Sequence, residues 1–162
     1  MQPFTITPAE NPDDIQTITR LFEAYALSLG IDLGFQDFVA ELASLPGKYG
    51  SPTGRLLLAR QNDTAEAIGC VALRPLPDAG ADCCEMKRLY VDPRGRGTGV
   101  GRALAERVIV EARHIGYKAM RLDTLPQMES ARALYVRLGF TEIEAYYATP
   151  LEGTLFMELD LR

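Results

Sequence analysis

A chain of 162 residues, 47% of them hydrophobic, has about the length of one domain and can bury a core without disulfide or metal staples. Its formal net charge is −5 and its 17 basic residues gather into no long run, so a nucleic acid finds no electrostatic foothold. No apolar stretch approaches the roughly 18 residues of a membrane span, and no leader pattern opens the chain, so it reads as soluble and cytoplasmic, with no membrane partner.

In chain order, residues 4–7 alternate like a short strand, and Asn11, Pro12, Asp13 and Asp14 supply a cap, an early proline and first-turn acids for a helix. That helix runs to about Leu29, with Ile15, Ile18, Leu21, Phe22, Tyr25 and Leu29 on one face, and Gly30 stops it. A second helix, over about residues 36–45, is broken by Pro46 and Gly47. Residues 55–60 and 65–73 are apolar runs joined by Gln61-Asn62-Asp63-Thr64, the pattern of a hairpin, and residues 85–91 form a further strand ended by Asp92 and Pro93. Val100–Ile115 is the clearest helix, closed by Gly116. Residues 119–124 then predict a strand, 128–138 a helix ended by Gly139, and 142–147 and 154–161 two closing strands. The order predicts an α/β fold with a mixed sheet, about seven strands and about four helices, in one domain over residues 1–162.

Cys70, Cys83 and Cys84 make neither a C-x-x-C pair nor an even disulfide set and read as reduced thiols. With His114 alone, the chain lacks the histidines of a two- or three-histidine site, and no metal is expected. His114 reads as a residue near a helix C-terminus rather than a catalytic base.

The most informative stretch is Arg96-Gly97-Thr98-Gly99-Val100-Gly101, between a strand end and the start of an amphipathic helix. Glycines let the backbone turn tightly and bring N–H groups close to a ligand, and a helix N-terminus adds partial positive charge, which together suit a diphosphate. No Gly-Lys followed by Ser or Thr occurs, so this is not a P-loop. The glycines also miss the first, third and sixth positions of a dinucleotide fingerprint. Arg94, Arg96, Arg102 and Arg107 crowd this turn in an acidic chain, and Arg102 is the side chain chosen for a direct phosphate contact.

The segment Leu89-Tyr90-Val91-Asp92-Pro93, followed by Arg96-Gly97-x-Gly99-x-Gly101-Arg102-Ala103-Leu104, resembles motif A of the GNAT superfamily of acyl-CoA-dependent N-acetyltransferases. Ala131-Arg132-Ala133-Leu134-Tyr135-Val136-Arg137-Leu138-Gly139-Phe140 resembles that superfamily's motif B. The resemblance implies a GNAT-like fold whose fourth and fifth strands splay into a V around acetyl-CoA, the acyl donor. It implies that the main chain of Leu89 and Val91 pairs with the pantetheine amides and that an N–H near Tyr90 or Val91 polarises the thioester carbonyl. The turn from Arg96 through Thr98 would hold the pyrophosphate with the N–H groups of Gly97, Gly99, Val100, Gly101 and Arg102. The family's usual motif-B asparagine is Met128 here, so that contact is missing or falls to Thr124.

Acyl transfer to an amine needs a deprotonated amine, charge stabilisation on the thioester carbonyl and a proton for the departing thiolate. By the resemblance Tyr135 supplies that proton; as an aromatic on a helix it also fits the core. Glu85 is similarly spaced to the general base of the histone-acetylating branch, and also reads as a strand-end carboxylate or a partner for Lys87 or Arg88. The acceptor is expected to be a small-molecule or protein amine, bound by residues 29–35 and 146–153, with Tyr25, Phe35, Tyr146 and Tyr147 as lining candidates, and the chain's acidity hints at a cationic one. The rival class is an acyl-CoA-binding sensor that keeps the cradle without turnover; a third reading is a nucleotide-binding protein. A homodimer is compatible with all three.

Overall fold

The computed structural model describes residues 2–162; the side chain of Phe35, expected at the acceptor pocket, lies outside the described set. Seven strands form one sheet in the order β1-β2-β3-β4-β5-β7-β6. They are β1 (Phe4–Pro8), β2 (Arg55–Gln61), β3 (Ala67–Pro75), β4 (Cys83–Val91), β5 (Ala119–Thr124), β6 (Thr141–Ile143) and β7 (Leu155–Asp160). The four α-helices are α1 (Pro12–Leu29), α2 (Phe38–Ser44), α3 (Val100–Ile115) and α4 (Glu129–Leu138). Only β4 and β5 run parallel, joined by α3; every other neighbouring pair is antiparallel. None of these helices is long and apolar enough to cross a membrane.

The central strands read as continuous apolar runs because both faces of the sheet are covered. In β2, Leu57 and Ala59 pack with Leu104, Val108 and Ala112 of α3, whereas Leu56 and Leu58 pack with Ile18, Leu21 and Phe22 of α1. In β3, Val71 and Leu73 join the first cluster and Cys70 and Ala72 the second, as the two-residue side-chain period of a strand requires. Leu134 and Tyr135 bring α4 to the α3 side. Asn11 caps α1 by accepting the Asp14 N–H at 2.8 Å.

Helix α2 is short and contains no buried residue, so apolar burial alone does not hold it. It is tied to β4 through charge: Glu41 accepts from Nε and Nη2 of Arg88, each at 3.0 Å, and Phe38 lies under the same guanidinium, 5.2 Å from ring centre to Cζ. Arg88 is 4% exposed, so removing either partner would cost about 3–5 kcal/mol.

The predicted strand over residues 142–147 is shorter, ending at Ile143. Tyr146 and Tyr147 leave the sheet edge because their hydroxyls are taken by Glu85 and Asp123, on β4 and β5.

Gly69 on β3 sets how closely α3 approaches the sheet. A Cβ there would stand 3.0 Å from Leu104 Cδ1 and from the Tyr90 carbonyl oxygen, and 3.1 Å from Val100 Cγ1. Val100 opens α3, so this contact also positions the glycine turn. Gly69→Ala should lower stability in urea unfolding by about 1–3 kcal/mol through overpacking; an unchanged midpoint would show that α3 moves freely on the sheet.

Candidate active site

Strands β4 and β5 pair through Cys83 with Ala119, Cys84 with Met120 and Glu85 with Arg121, and then part. Both continue, to Val91 and to Thr124, so the β5-facing edge of β4 beyond Glu85 is left without a strand partner. A bulge accompanies the parting. Lys87 lies opposite Ala72 and Tyr90 opposite Cys70, so Arg88 and Leu89 together face the single residue Val71. Arg88 sits at φ 60°, an uncommon backbone state for a bulky side chain, held by its bonds to Glu41 and to Gln36 Oε1 at 2.9 Å. A bulge bends its strand and increases local twist, which carries β4 away from β5. It also turns two consecutive side chains the same way: Lys87 and Arg88 both reach Gln36 Oε1, at 3.3 and 2.9 Å.

A groove of about 690 Å³ runs from the opened edge at Leu89, Tyr90 and Val91 to the glycine turn and on to the start of α4. Gly97 and Gly99 adopt φ of 77° and 86°, which lets the chain turn tightly into α3. The first intrahelical bond is Ala103 N–H to Gly99 C=O. Among the described residues, no N–H from Gly97 through Arg102 makes a well-formed hydrogen bond to a protein acceptor. A run of unpaired N–H groups at a helix N-terminus is the donor set a diphosphate takes up.

Side chains in this region differ from the sequence expectation. Arg102, chosen for a direct phosphate contact, instead binds Glu106 at 2.7 Å along the exposed face of α3, as an i,i+4 pair does, and its side chain does not line the groove. The Thr98 hydroxyl turns inward to the Gly95 carbonyl. Arg96 does line the groove, together with Met128.

The groove narrows into a chamber of about 30 Å³ between the parted strands, with Tyr25, Leu29, Leu89 and Met128 lining both. Thr124 and Tyr135 line the chamber; Thr124 is 1% exposed and its hydroxyl points to Met128 Sδ at 3.9 Å. Tyr135 packs on Phe140, and its hydroxyl has no hydrogen-bond partner among the described residues. Burial pushes the Tyr135 phenol well above its ordinary value, with the nearby Tyr25 and Asp123 adding to the effect, so it stays protonated and can donate. Asp123 faces the same chamber and accepts from the Tyr147 hydroxyl at 2.5 Å.

Beyond the chamber a second cavity of about 520 Å³ opens beside α2, with Gln36, Lys87 and Tyr147 lining both spaces. Glu85 lines neither. It is 1% exposed, its Oε1 receives Arg74 at 2.7 and 2.8 Å, and its Oε2 receives the Tyr146 hydroxyl at 2.6 Å. Burial pushes its pKa up, but Lys87, Arg74 and the Tyr146 hydrogen bond outweigh that and hold the carboxyl below its usual range. A carboxylate so engaged is a poor proton acceptor, which argues against Glu85 as the group that meets the amine. The Cys70 and Cys84 thiols are buried, and burial pushes both up, so neither offers a thiolate.

Sequence reading passed over Gln36, Arg74 and Asp123, and named Lys87 only as a partner for Glu85. The two-residue period places Glu85 and Lys87 on one face of β4, a signal that was present; the bulge that adds Arg88 to that face was not legible.

Comparison with known proteins agrees with this geometry. The model of the acetyltransferase (GNAT) family matches residues 18–140. An uncharacterized N-acetyltransferase of Schizosaccharomyces pombe is 39% identical over 157 residues, 97% of this chain and 94% of its own length. An uncharacterized N-acetyltransferase of Escherichia coli is 29% identical over 95% of this chain and 89% of its own. Among solved structures, a GNAT-family acetyltransferase from Staphylococcus aureus superposes with a TM-score of 0.79 at 21% identity, over 98% of this chain and 99% of its own. A Salmonella typhimurium structure determined with its cofactor acetyl-CoA gives 0.70 at 23% identity, over 99% and 95%. The parted strands, the glycine turn at the head of α3 and the match over most of the sequence lead to one conclusion: the chain belongs to the GNAT family of acetyltransferases.

Proposed function

We propose that this acetyltransferase, acting as one domain over residues 1–162, moves the acetyl group of acetyl-CoA to a primary amine by direct attack within a ternary complex. One observation carries the reading: a donor-sized groove and a separate cavity meet in a chamber walled by the unpaired edge of β4. Acetyl-CoA would supply an acyl group activated as a thioester. Its fit rests on the unpaired N–H groups from Gly97 through Arg102 and on the acetyl-CoA held by the Salmonella protein of the same fold.

Their placement supports the following roles for the chain's own groups. The bare edge of β4 at Leu89 and Val91 binds the donor's amides, and an N–H at Tyr90 or Val91 polarises the thioester carbonyl. Tyr135 holds a proton at its hydroxyl for the departing thiolate. An amine with a pKa of about 10 must lose a proton before attack, and Asp123 is the carboxylate that faces the chamber to accept it: Tyr147 occupies its Oδ2, while its Oδ1, unlike either oxygen of Glu85, has no hydrogen-bond partner among the described residues. Glu85 acts at one remove, holding Arg74 and Tyr146 in place.

Thiol release from acetyl-CoA against a panel of amines tests the reading, and no release with any amine would refute it. In that assay Tyr135→Phe keeps the ring and should lower kcat by about ten- to a hundredfold with acetyl-CoA affinity nearly unchanged. Loss of affinity or stability with kcat preserved would make Tyr135 a packing residue only. Asp123→Asn should lower the rate most near neutral pH and least at high pH, where free amine is abundant; a pH–rate profile of unchanged shape and height would remove Asp123 from the chemistry.

A further inference from the structure

The acceptor cavity inverts the charge of the chain. Around it stand Arg74, Lys87 and, on the exposed rim, Lys48, in a protein of formal net charge −5. The carboxylates nearby are already engaged: Glu41 holds Arg88 with both oxygens, Glu85 holds Arg74 and accepts from Tyr146, and Asp123 accepts from Tyr147. Asp37 stands on the exposed rim.

Lys87 is the most thinly partnered of the buried charges here, because Glu85, the carboxylate nearest it, is held more closely by Arg74 and Tyr146. Its side chain is 8% exposed, its Nζ hydrogen-bonds only the neutral Gln36 Oε1, at 3.3 Å, and Glu85 Oε1 stands at 4.0 Å. An ammonium carries three donors, and burying one so thinly partnered is unfavourable unless an anion joins it. Burial accordingly pulls the Lys87 pKa down despite Glu85. Lys87 lines both the cavity and the chamber, so an anion seated on it lies next to the place where the amine must be.

Resting on the reading of this cavity as the acceptor site, we infer that the acceptor is an amino carboxylate: Lys87, with Arg74 beside it, binds a free carboxylate and directs the amine of the same molecule into the chamber between Leu89 and Asp123. A polyamine or an aminoglycoside, which brings only positive charge, is disfavoured at this site.

The test is thiol release from acetyl-CoA with free L-amino acids and with β- and γ-amino acids, set against their methyl esters, their decarboxylated amines and spermidine. At least one free amino acid should be a substrate, and esterification or decarboxylation should lower its kcat/KM by about 10- to 100-fold, the worth of a charge-assisted hydrogen bond. Lys87→Met should collapse that preference for the free acid over its ester, while calorimetric acetyl-CoA affinity stays within about twofold and certifies the fold. The inference is overturned if no free amino acid is acetylated, if esters or decarboxylated amines serve as well, or if Lys87→Met leaves the preference intact. Release with spermidine alone would overturn it and leave acetyl transfer standing, whereas no release with any amine and no acetyl-CoA binding would sink the functional reading itself.

Discussion

The bulge at Arg88 and Leu89 is the constraint on which the rest of the site depends. Two residues of β4 face one of β3, and Arg88 is held at φ 60° by the two-point grip of Glu41 and by Gln36. A buried ion pair of this kind earns little net stability over apolar packing, yet losing one partner is costly, so it fixes geometry more than it adds free energy. It settles three things together: β4 turns away from β5 after Glu85, α2 is anchored although nothing on it is buried, and Arg88 joins Lys87 on the face of β4 that reaches Gln36.

From that opening the division of labour follows. On one side, donor binding falls to backbone: the unpaired edge of β4 and the N–H groups at the head of α3, whose close approach to the sheet is set by Gly69. Backbone donors on packed elements need little ordering when a ligand arrives, which suits a site for a long, flexible donor. On the other side, acceptor recognition falls to side chains, and there the buried Lys87 ammonium has only a long contact with Glu85, which Arg74 holds more closely. Glu85 belongs to this pairing, since its carboxylate locates Arg74 and Tyr146.

What could be read from the sequence was local. The turn from Arg96 through Gly101, the helix from Val100 and the motif around Tyr135 are contiguous, and their chemistry depends on neighbours a few residues away. The apolar runs of β2 and β3 announced a sheet covered on both faces. Contacts between distant segments were not legible. Arg88 meets Glu41 across 47 positions and Tyr146 meets Glu85 across 61, so no spacing rule connects them. For the same reason residues 142–147 read as one strand: Tyr146 and Tyr147 have high strand propensity, and only the remote carboxylates of Glu85 and Asp123 draw them off the sheet. Arg102 shows the converse, a local i,i+4 pairing with Glu106 on the exposed face of α3.

The central claim is that the parted strands make one continuous path, with the donor on the N–H groups of α3 and the acceptor on Lys87. A crystal structure of the protein with CoA and the preferred acceptor bears on this most directly. The account predicts pyrophosphate oxygens within hydrogen-bonding distance of N–H groups between Gly97 and Arg102, the sulfur beside Tyr135, and the acceptor beyond Leu89 in the cavity lined by Lys87. CoA bound away from the glycine turn, or an acceptor entering from the same groove as the donor, would contradict it.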